Sequence, residues 1–354
     1  MTLDPIAARS TLSSALPRAG AAVKPTPQRA RRAAFALLSG AALVVLAAPP
    51  ALAQTKLKWA HVYETSEPFH TEALWAAEEV KKRTGGRYEI QVFPASQLGK
   101  ESDINQALTL GTVDIIYTGQ NFAARSYGPL SIGGAPFMFR DYDHWAKYVV
   151  SPVFAELAAG YQKGSGGNRI TAVTYYGVRH TSSNKPISKP EDMKGLKIRV
   201  PDAPLYTMFP KAVGANATPI AFAEVYLALQ NGTVDAQENP LPTIEAKKFH
   251  EVQKYIVLTG HITEMLVTVV STGTWGKLNE ADRKIFEDVT REAGARATKA
   301  IVDNENRLVS GFEKMGKTVV KVDRRPFQAA VAKELTAPNL PWSKDVFDRV
   351  QAIR

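Results

Sequence analysis

The alternation of strand-like and helix-like segments constrains the fold of this chain more than any other feature. Residues 56–62 alternate apolar and polar side chains as a half-buried strand does, and Gly85-Gly86 ends the helix that follows them. Strand, helix and strand at this spacing are typical of βαβ units around a parallel sheet. The predicted elements of this first part are the strands 56–62, 88–93 and 113–117 and the helices 68–82 and 102–110.

The same order of elements begins again at residue 169. The segments 111–114 and 232–235 have the same sequence, Gly-Thr-Val-Asp, and each follows a predicted helix and opens a predicted strand. Two similar α/β halves would produce this match, and the chance recurrence of a common turn is the alternative. The predicted elements of the second part are the strands 169–176, 196–200 and 232–236, the helices 206–213 and 222–229, and a charged helix within 279–316.

The carboxyl ends of the predicted strands are where a ligand site is expected. Open α/β sheets bind ligands outside those ends, and two such domains that face each other form a cleft. The residues that follow the strands are therefore candidates for the lining of that cleft. They are Tyr63, Glu64, Gly119, Gln120, the segment 176–179, Arg199 and the segment 237–239.

The first 53 residues have the pattern of a secretory signal peptide. Arginines between positions 29 and 32 precede an apolar run from Ala33 to Ala48, and Ala51-Leu52-Ala53 resembles a cleavage site. A membrane anchor is the alternative, but the run is shorter than the ~20 apolar residues that a span needs. We therefore predict that residues 1–53 are removed and that the mature chain is periplasmic.

Charge and cysteine content exclude several classes of function. Residues 1–53 hold six of the 44 basic and one of the 34 acidic residues, so the remainder carries 38 basic and 33 acidic residues, a net charge of +5. Basic residues do not cluster with interleaved aromatic residues, so no nucleic-acid partner is predicted. The chain has no cysteine, which removes disulfides, thiolate metal sites and thiol nucleophiles.

The sequence contains none of the short motifs that identify common catalytic sites. A Gly-x-Ser-x-Gly elbow, a phosphate-binding loop that ends in Lys-Ser/Thr and a His-Glu-x-x-His helix are all missing. The six histidines are scattered, with no pair at metal-ligand spacing on one helix, and His250 and His261 are expected in loops. We therefore predict that the protein is not an enzyme and needs neither cofactor nor metal.

The segment 175–249 carries the motifs that point to a family. Met-Lys-Gly-Leu-Lys-Ile-Arg-Val-Pro at 193–201 and Gln-Glu-Asn-Pro at 237–240 are separated by Phe-Ala-Glu-Val-Tyr-Leu-Ala-Leu-Gln at 222–230. Ser-Gln-Leu-Gly at 96–99 follows the second predicted strand. Over residues 55–350 the chain resembles the solute-binding subunits of tripartite ATP-independent periplasmic (TRAP) transporters, in the C4-dicarboxylate-binding superfamily, and especially their sialic-acid- and uronate-binding members.

The resemblance implies a fold and a role. The fold is an α/β periplasmic binding protein of two lobes, each a mixed, mostly parallel sheet flanked by helices, with the ligand in the cleft between them. Such a protein, expected to be a monomer, captures a small organic acid and delivers it to the permease subunits in the membrane. Lobe I is then expected over 54–176 and 265–304 and lobe II over 177–264 and 305–354, with hinges near 176–178 and 264–266.

The resemblance also assigns roles to residues of the cleft. Arg199 matches the arginine that clamps the ligand carboxylate, since a planar guanidinium can hold both carboxylate oxygens. Arg179 matches a second ligand arginine, and a surface arginine in a local ion pair is the alternative. Asn239 matches a ligand asparagine, and Phe222 matches an aromatic residue that packs on the ligand.

Other cleft positions bear on the identity of the ligand. A glutamate that contacts substrate hydroxyls in sialic-acid binders falls on Gly119, which disfavours sialic acid. Glu101, Gln120 and Glu64 offer hydrogen-bond acceptors for hydroxyl groups, and the two acids would repel a second carboxylate. The sequence therefore predicts a hexuronate such as glucuronate or galacturonate. A C4-dicarboxylate or small hydroxy or keto acid in the same role is the alternative, and an exported sugar-acid hydrolase is a more remote one.

Overall fold

The computed structural model describes residues 54–354, in which nine strands and twelve α-helices alternate. The strands are β1 (Thr55–Ala60), β2 (Tyr88–Phe93), β3 (Ile115–Gly119), β4 (Arg169–Ser183), β5 (Lys197–Val200), β6 (Asn216–Pro219), β7 (Ala236–Pro240), β8 (Tyr255–Val270) and β9 (Thr318–Val320). The helices are α1 (Pro68–Arg83), α2 (Glu101–Thr109), α3 (Gln120–Ala123), α4 (Tyr142–Val149), α5 (Pro152–Gly164), α6 (Met208–Ala212), α7 (Val225–Gln230), α8 (Leu241–Ala246), α9 (Thr272–Lys277), α10 (Glu280–Lys314), α11 (Arg324–Ala332) and α12 (Lys344–Gln351).

All nine strands belong to one mixed sheet with the order β2-β1-β3-β8-β4-β7-β5-β6, and β9 pairs with β8. At one end β1 runs parallel to β2 and β3, and at the other end β5 runs parallel to β6 and β7. The long strands β4 and β8 lie antiparallel between these two groups and join them. The predicted mixed α/β sheet with flanking helices is confirmed.

The two Gly-Thr-Val-Asp segments have the same structure in the two halves. The glycine of each has a φ of +73°, which a residue with a side chain rarely adopts. Asp114 accepts the Lys58 N–H at 2.8 Å and donates its own N–H to the Lys58 carbonyl at 3.1 Å. Asp235 makes the same two contacts with Lys197, at 3.0 and 2.8 Å. The sequence match therefore reflects equivalent turns beside β1 and β5.

The long helix α10 is the main helical support of the sheet, and its sequence explains its start. The side chain of Asn279 accepts the Asp282 N–H at 2.8 Å, so it caps the helix, and acidic residues in the first turn favour the positive end of the helix dipole. One face of α10 is buried along β4 and α1. Its buried apolar residues are Phe286, Val289, Ala293, Ala297, Ile301, Leu308 and Phe312.

Several predicted elements differ from the structure. The strand predicted over 232–236 begins only at Ala236, because the Gly-Thr-Val-Asp segment forms the turn that precedes it. The helix predicted over 206–213 is a 3₁₀ turn, Pro204–Thr207, followed by the short α6. The sixteen-residue β8 was not predicted; it is buried almost throughout, so it lacks the alternation that identifies a half-exposed strand.

Two predictions about chain organisation are not decided by this structure. The signal peptide predicted for residues 1–53 lies outside the described residues. Within residues 54–354, no helix is both long and apolar enough to cross a membrane. The predicted lobe bounds remain predictions, although the pairing of β3 with residues 266–270 of β8 and of β7 with residues 179–183 of β4 is consistent with a division between those segments.

Candidate functional site

A cavity of about 40 Å³ lies where the two halves of the sheet meet, at the carboxyl ends of β1, β3, β5 and β7. This is where open α/β sheets place their ligands. Aromatic side chains form much of its wall, and three basic residues, Lys100, Arg179 and Arg199, and two acidic residues, Glu101 and Asp202, provide charge. The residues that line it include Tyr63, Glu101, Gly119, Phe122, Tyr176, Arg179, Arg199, Asp202, Tyr206, Phe222, Asn239 and Lys100.

Arg199 is a buried cation at the end of β5 that has no acidic partner among the described residues. Its Nε and Nη2 donate to the Ile220 carbonyl at 2.9 and 2.7 Å, which fixes the plane of the guanidinium. Only 2% of the residue is exposed, and no carboxylate of residues 54–354 lies within 4 Å of it. Burial lowers the pKa of Arg199 to about 10, and Glu238 partly opposes that shift. The remaining guanidinium hydrogens are therefore available to an anion in the cavity.

Arg179 differs from Arg199 because it is already neutralised. Its Nε and Nη2 donate to the two carboxylate oxygens of Glu238 at 2.5 and 2.8 Å, and its Nη1 lies 3.6 Å from Glu264. Burial opposes the charge on Arg179, but Glu238 and Glu264 outweigh it and raise its pKa well above the usual value. Glu238 also lies 3.2 Å from His261 Nε2. Arg179 thus belongs to a buried network with a surplus of acid.

Asn239 and Tyr176 connect this network to the cavity. The Asn239 amide oxygen accepts from Arg179 Nη2 at 3.2 Å and from the Tyr176 hydroxyl at 3.4 Å, while its nitrogen donates to Gln237 at 2.6 Å. These bonds hold the amide in one orientation. Phe222 covers another side of the cavity, with its ring centre 5.9 Å from the Arg199 guanidinium.

Glu101 places a carboxylate on the opposite wall, in the first turn of α2. Its Oε1 accepts the Gly119 N–H at 2.7 Å and the Thr118 hydroxyl at 2.9 Å, and Oε2 is left for another donor. Burial raises the pKa of Glu101, and these two hydrogen bonds and the two arginines act in the other direction. The residue is therefore positioned to accept a hydrogen bond from a neutral donor such as a hydroxyl.

The backbone at Gly119 lies against side chains that fill the space beside it. A Cβ at this position would lie 3.1 Å from the Tyr206 hydroxyl and 3.5 Å from Glu101 Oε1. A glutamate here, which the resemblance implies for sialic-acid binders, would have to displace Tyr206. The tyrosine thus occupies the room that a longer side chain at 119 would need.

Two ion pairs flank the cavity. On one side Lys247 Nζ lies 2.5 Å from Glu64 Oε1 and 5.0 Å from the Phe222 ring centre. On the other side the Arg125 guanidinium donates to the Asp202 carbonyl and lies 3.8 Å from its carboxylate. Both pairs join segments that belong to different predicted lobes, and the cleft between them is narrow in this structure.

Five of the seven residues predicted for the site line the cavity: Arg199, Arg179, Asn239, Phe222 and Glu101. Glu64 does not; its carboxylate is engaged by Lys247. Gln120 is fully buried behind the wall, with its amide against Gly133, because α3 begins there and directs the side chain inward. Contact of the five residues with a ligand stays a prediction.

Sequence reasoning missed the network behind the arginines. Glu238 was visible only as part of the Gln-Glu-Asn-Pro motif, and Glu264 and Tyr206 stand in segments without a motif. The expectation that His261 lies in a loop is wrong: it is buried in β8, stacked 4.0 Å from Phe209 and bonded to Glu238. Only the pairing of β8 with β4 brings these distant residues together.

The pattern that defines the bacterial extracellular solute-binding proteins of family 7 matches residues 59–337 of this chain. This match covers more than half of the chain, and the chain belongs to this family. The predicted family is thereby confirmed.

Known relatives match over most of the chain. The sialic acid-binding periplasmic protein of Vibrio cholerae serotype O1 is 34% identical over 82% of this chain and 90% of its own length. A TRAP periplasmic solute-binding protein of Polaromonas sp. JS666, bound to D-erythronate, is 33% identical with a TM-score of 0.80, over 85% of this chain and 99% of that one. Another, from Sulfurospirillum deleyianum with bound succinate, is 29% identical with a TM-score of 0.79, over 84% and 99%. The predicted two-lobed binding-protein fold is confirmed.

Proposed function

We propose that this protein captures a sugar acid with a single carboxylate, a hexuronate such as glucuronate or galacturonate, and delivers it to a TRAP permease in the membrane. The expected place is the periplasm, and the expected form is a monomer. The reaction is binding and release without chemical change. The observation that carries the proposal is the difference between the two arginines: Arg199 has no acidic partner within residues 54–354, and Arg179 is held by Glu238.

One unpaired guanidinium accommodates one carboxylate. A second carboxylate on the ligand would meet Glu101 on the opposite wall and the acidic residues behind Arg179, so it would be repelled in a desolvated cleft. A hydroxyl group in the same place can donate to Glu101 and accept from the tyrosine hydroxyls. The site therefore favours a polyhydroxylated monoanion over a dicarboxylate.

The relatives span both kinds of ligand. Sialic acid and D-erythronate are sugar acids with one carboxylate, whereas succinate is a dicarboxylate. Family membership therefore supports an organic acid as the ligand. The arrangement of charge in the cavity supports a sugar acid with one carboxylate. The space that Tyr206 takes beside Gly119 disfavours sialic acid itself. Phe222 provides an apolar face for the C–H groups of a sugar ring.

A thermal-shift panel followed by calorimetric titration tests the proposal. The panel contains glucuronate, galacturonate, open-chain galactonate and erythronate, sialic acid, succinate and malate, each added to the purified mature chain. A ligand at about 100 times its Kd stabilises the folded state by about 2.7 kcal/mol, so a true ligand is evident. We expect the uronates to raise the melting temperature more than succinate or malate.

Three outcomes would change the conclusion. Tighter binding of succinate than of both uronates would replace the hexuronate with the C4-dicarboxylate alternative. If chromatography of the incubated mixture shows that a uronate is consumed, the result would indicate the hydrolase alternative. A preference for galactonate or erythronate would keep the sugar-acid class and correct the particular acid.

A further inference from the structure

The strand β4 is irregular at the point where the two halves of the sheet are joined. Residues 179–183 of β4 pair with β7, and residues 266–270 of β8 pair with β3. Between these segments β4 and β8 pair only with each other, and the register shifts between Tyr175 and Gly177. Gly177 has a φ of +124°, which the bulge requires and side-chain residues rarely adopt. This short two-stranded link is where a hinge is expected.

Two side chains of α10 bind the backbone groups that the bulge leaves free. The Tyr175 N–H donates to Thr298 Oγ1 at 3.0 Å, and the Val178 N–H donates to Glu305 Oε1 at 2.6 Å. Glu305 Oε2 accepts the Tyr175 hydroxyl at 3.0 Å. The two oxygens of one carboxylate therefore hold both sides of the bulge. A Cβ on Gly177 would lie 2.7 Å from Glu305 Oε1, so the close approach depends on the glycine.

The position of Glu305 is unfavourable for the stability of the folded state. It forms no ion pair within 4 Å among residues 54–354, and burial raises its pKa to about 7. Its side-chain partner is the Tyr175 hydroxyl, and the polar and charged residues that line the same groove are His180 of β4, Asn306 of its own helix and Arg324 of α11. Glu305 is half-buried at the edge of a groove, and a partly desolvated carboxylate without a cation contributes less to stability than an apolar residue would. The arrangement is therefore better explained by its effect on the link.

We propose that Glu305 is a positioning residue that holds the hinge of β4 in the narrow-cleft conformation and so slows ligand release. It does not line the ligand cavity and acts through Tyr175 and Val178. The proposal rests on the proposed function in one respect, that closure of the two lobes retains the ligand. When the lobes open, the bulge must change its backbone angles, and its N–H groups would leave the carboxylate.

Rates of ligand binding and release provide the first test. The variants are Glu305→Ala, which removes the carboxylate, and Glu305→Asp, which keeps the charge but is too short to hold both contacts. Glu313→Ala is the matched control, since Glu313 is an exposed acid on the same helix. We expect both Glu305 variants to raise the dissociation rate about tenfold, equivalent to ~1.4 kcal/mol, with the association rate within about twofold of wild type. The probe is glucuronate, or the acid of the panel with the largest thermal shift.

The distance between the lobes provides a second test that needs no ligand. The chain has no cysteine, so cysteines introduced for the exposed residues Glu78 and Lys194 can carry spin labels at two defined places. In the ligand-free Glu305 variants the distance distribution should shift towards the open form, and in Glu313→Ala it should match the wild type. This measurement tests the role of Glu305 independently of which ligand the protein binds.

The contrary outcome is a purely structural role. Variants of Glu305 that lower the melting temperature, yet keep the wild-type dissociation rate and distance distribution, would overturn the proposal. If Glu305→Ala does not fold, Glu305→Asp and Thr298→Val take its place. Thr298→Val removes the other contact to the bulge. The dissociation rate and the distance distribution are measured for both variants.

Discussion

The Arg179 guanidinium and the Glu238 carboxylate form a two-point ion pair, with Nε and Nη2 at 2.5 and 2.8 Å from the two oxygens. Further along the chain, Arg199 has only a backbone carbonyl to bind among the described residues. The two arginines line one cavity, but only Arg199 is free to hold the carboxylate of a ligand. This difference in charge is the basis of the predictions on ligand binding.

Arg199→Lys should weaken binding of the uronate at least about fiftyfold. Lysine keeps the charge but loses the planar fork, and a hydrogen bond between charged groups contributes ~1.5–3 kcal/mol. Isothermal titration gives the affinity, and Arg283→Lys on α10 is the control. The melting temperature of the ligand-free variant should stay within a few degrees of wild type. Wild-type affinity in the lysine variant would show that another group holds the carboxylate.

Glu101→Gln should weaken uronate binding about tenfold and leave or improve any binding of succinate. The amide keeps the shape of the side chain but is a poorer acceptor for a hydroxyl and no longer repels a second carboxylate. The ratio of the two affinities, from competition titrations, is the measurement. Asp103→Asn, on the same helix and outside the cavity, is the matched control. An unchanged ratio contradicts the role given to Glu101.

Gly119→Ala should weaken binding about fivefold, because its methyl group would press on the Tyr206 hydroxyl at 3.1 Å. The backbone at Gly119 has a φ of −62°, so alanine introduces no strain of its own. Tyr206→Phe removes the hydroxyl, and the double variant should recover part of the loss. If the changes in binding free energy of the two single variants simply add in the double variant, the two residues act independently.

Glu238→Gln should destabilise the ligand-free protein by about 3 kcal/mol, since removal of one partner leaves a buried charge without compensation. The freed Arg179 should also improve the binding of succinate relative to glucuronate. Denaturant titration measures the first effect and calorimetry the second. Glu238→Asp keeps the charge and is the comparison. A stable variant with unchanged preference contradicts the account of the two arginines.

The burial of Glu67 should make the free energy of unfolding depend on pH. Burial raises the pKa of Glu67 to about 7 from 4.5, and its carboxylate accepts the Thr243 hydroxyl at 2.7 Å and the Glu64 N–H at 2.8 Å. The folded state then binds a proton that the unfolded chain releases, so this residue favours folding below about pH 4.5 and loses that contribution as the pH rises to 7.

A comparison with Glu67→Gln separates the contribution of Glu67 to the pH dependence from that of the buried histidines, whose pKa values are lowered. Relative to wild type, the variant should gain up to about 3 kcal/mol of unfolding free energy between about pH 4.5 and 7. The glutamine amide oxygen can still accept the Glu64 N–H, and its NH2 group can donate to the Thr243 hydroxyl oxygen, so any change in these hydrogen bonds adds an amount that does not depend on pH. Parallel curves of stability against pH for the two proteins would contradict the raised pKa.

The sequence by itself determined the family, the class of fold and the positions of five cavity residues. Local periodicity identified the βαβ units because their strands and helices expose one face and bury the other. The turns that contain Asp114 and Asp235 were recognisable because each uses only neighbouring residues and one adjacent strand. Arg199 could be placed because it lies near the end of a strand whose motif is contiguous in the chain.

Only the tertiary structure decided what those residues are bonded to. Gln120 directly follows Gly119, the last residue of β3, yet the start of α3 turns its side chain away from the cavity. Lys247 engages Glu64 from a remote part of the chain. The pairing of β4 with β7 and β8 brings Glu238, Glu264 and His261 behind Arg179. Charge compensation depends on distances of a few ångströms between remote segments, and no local pattern in the sequence encodes them.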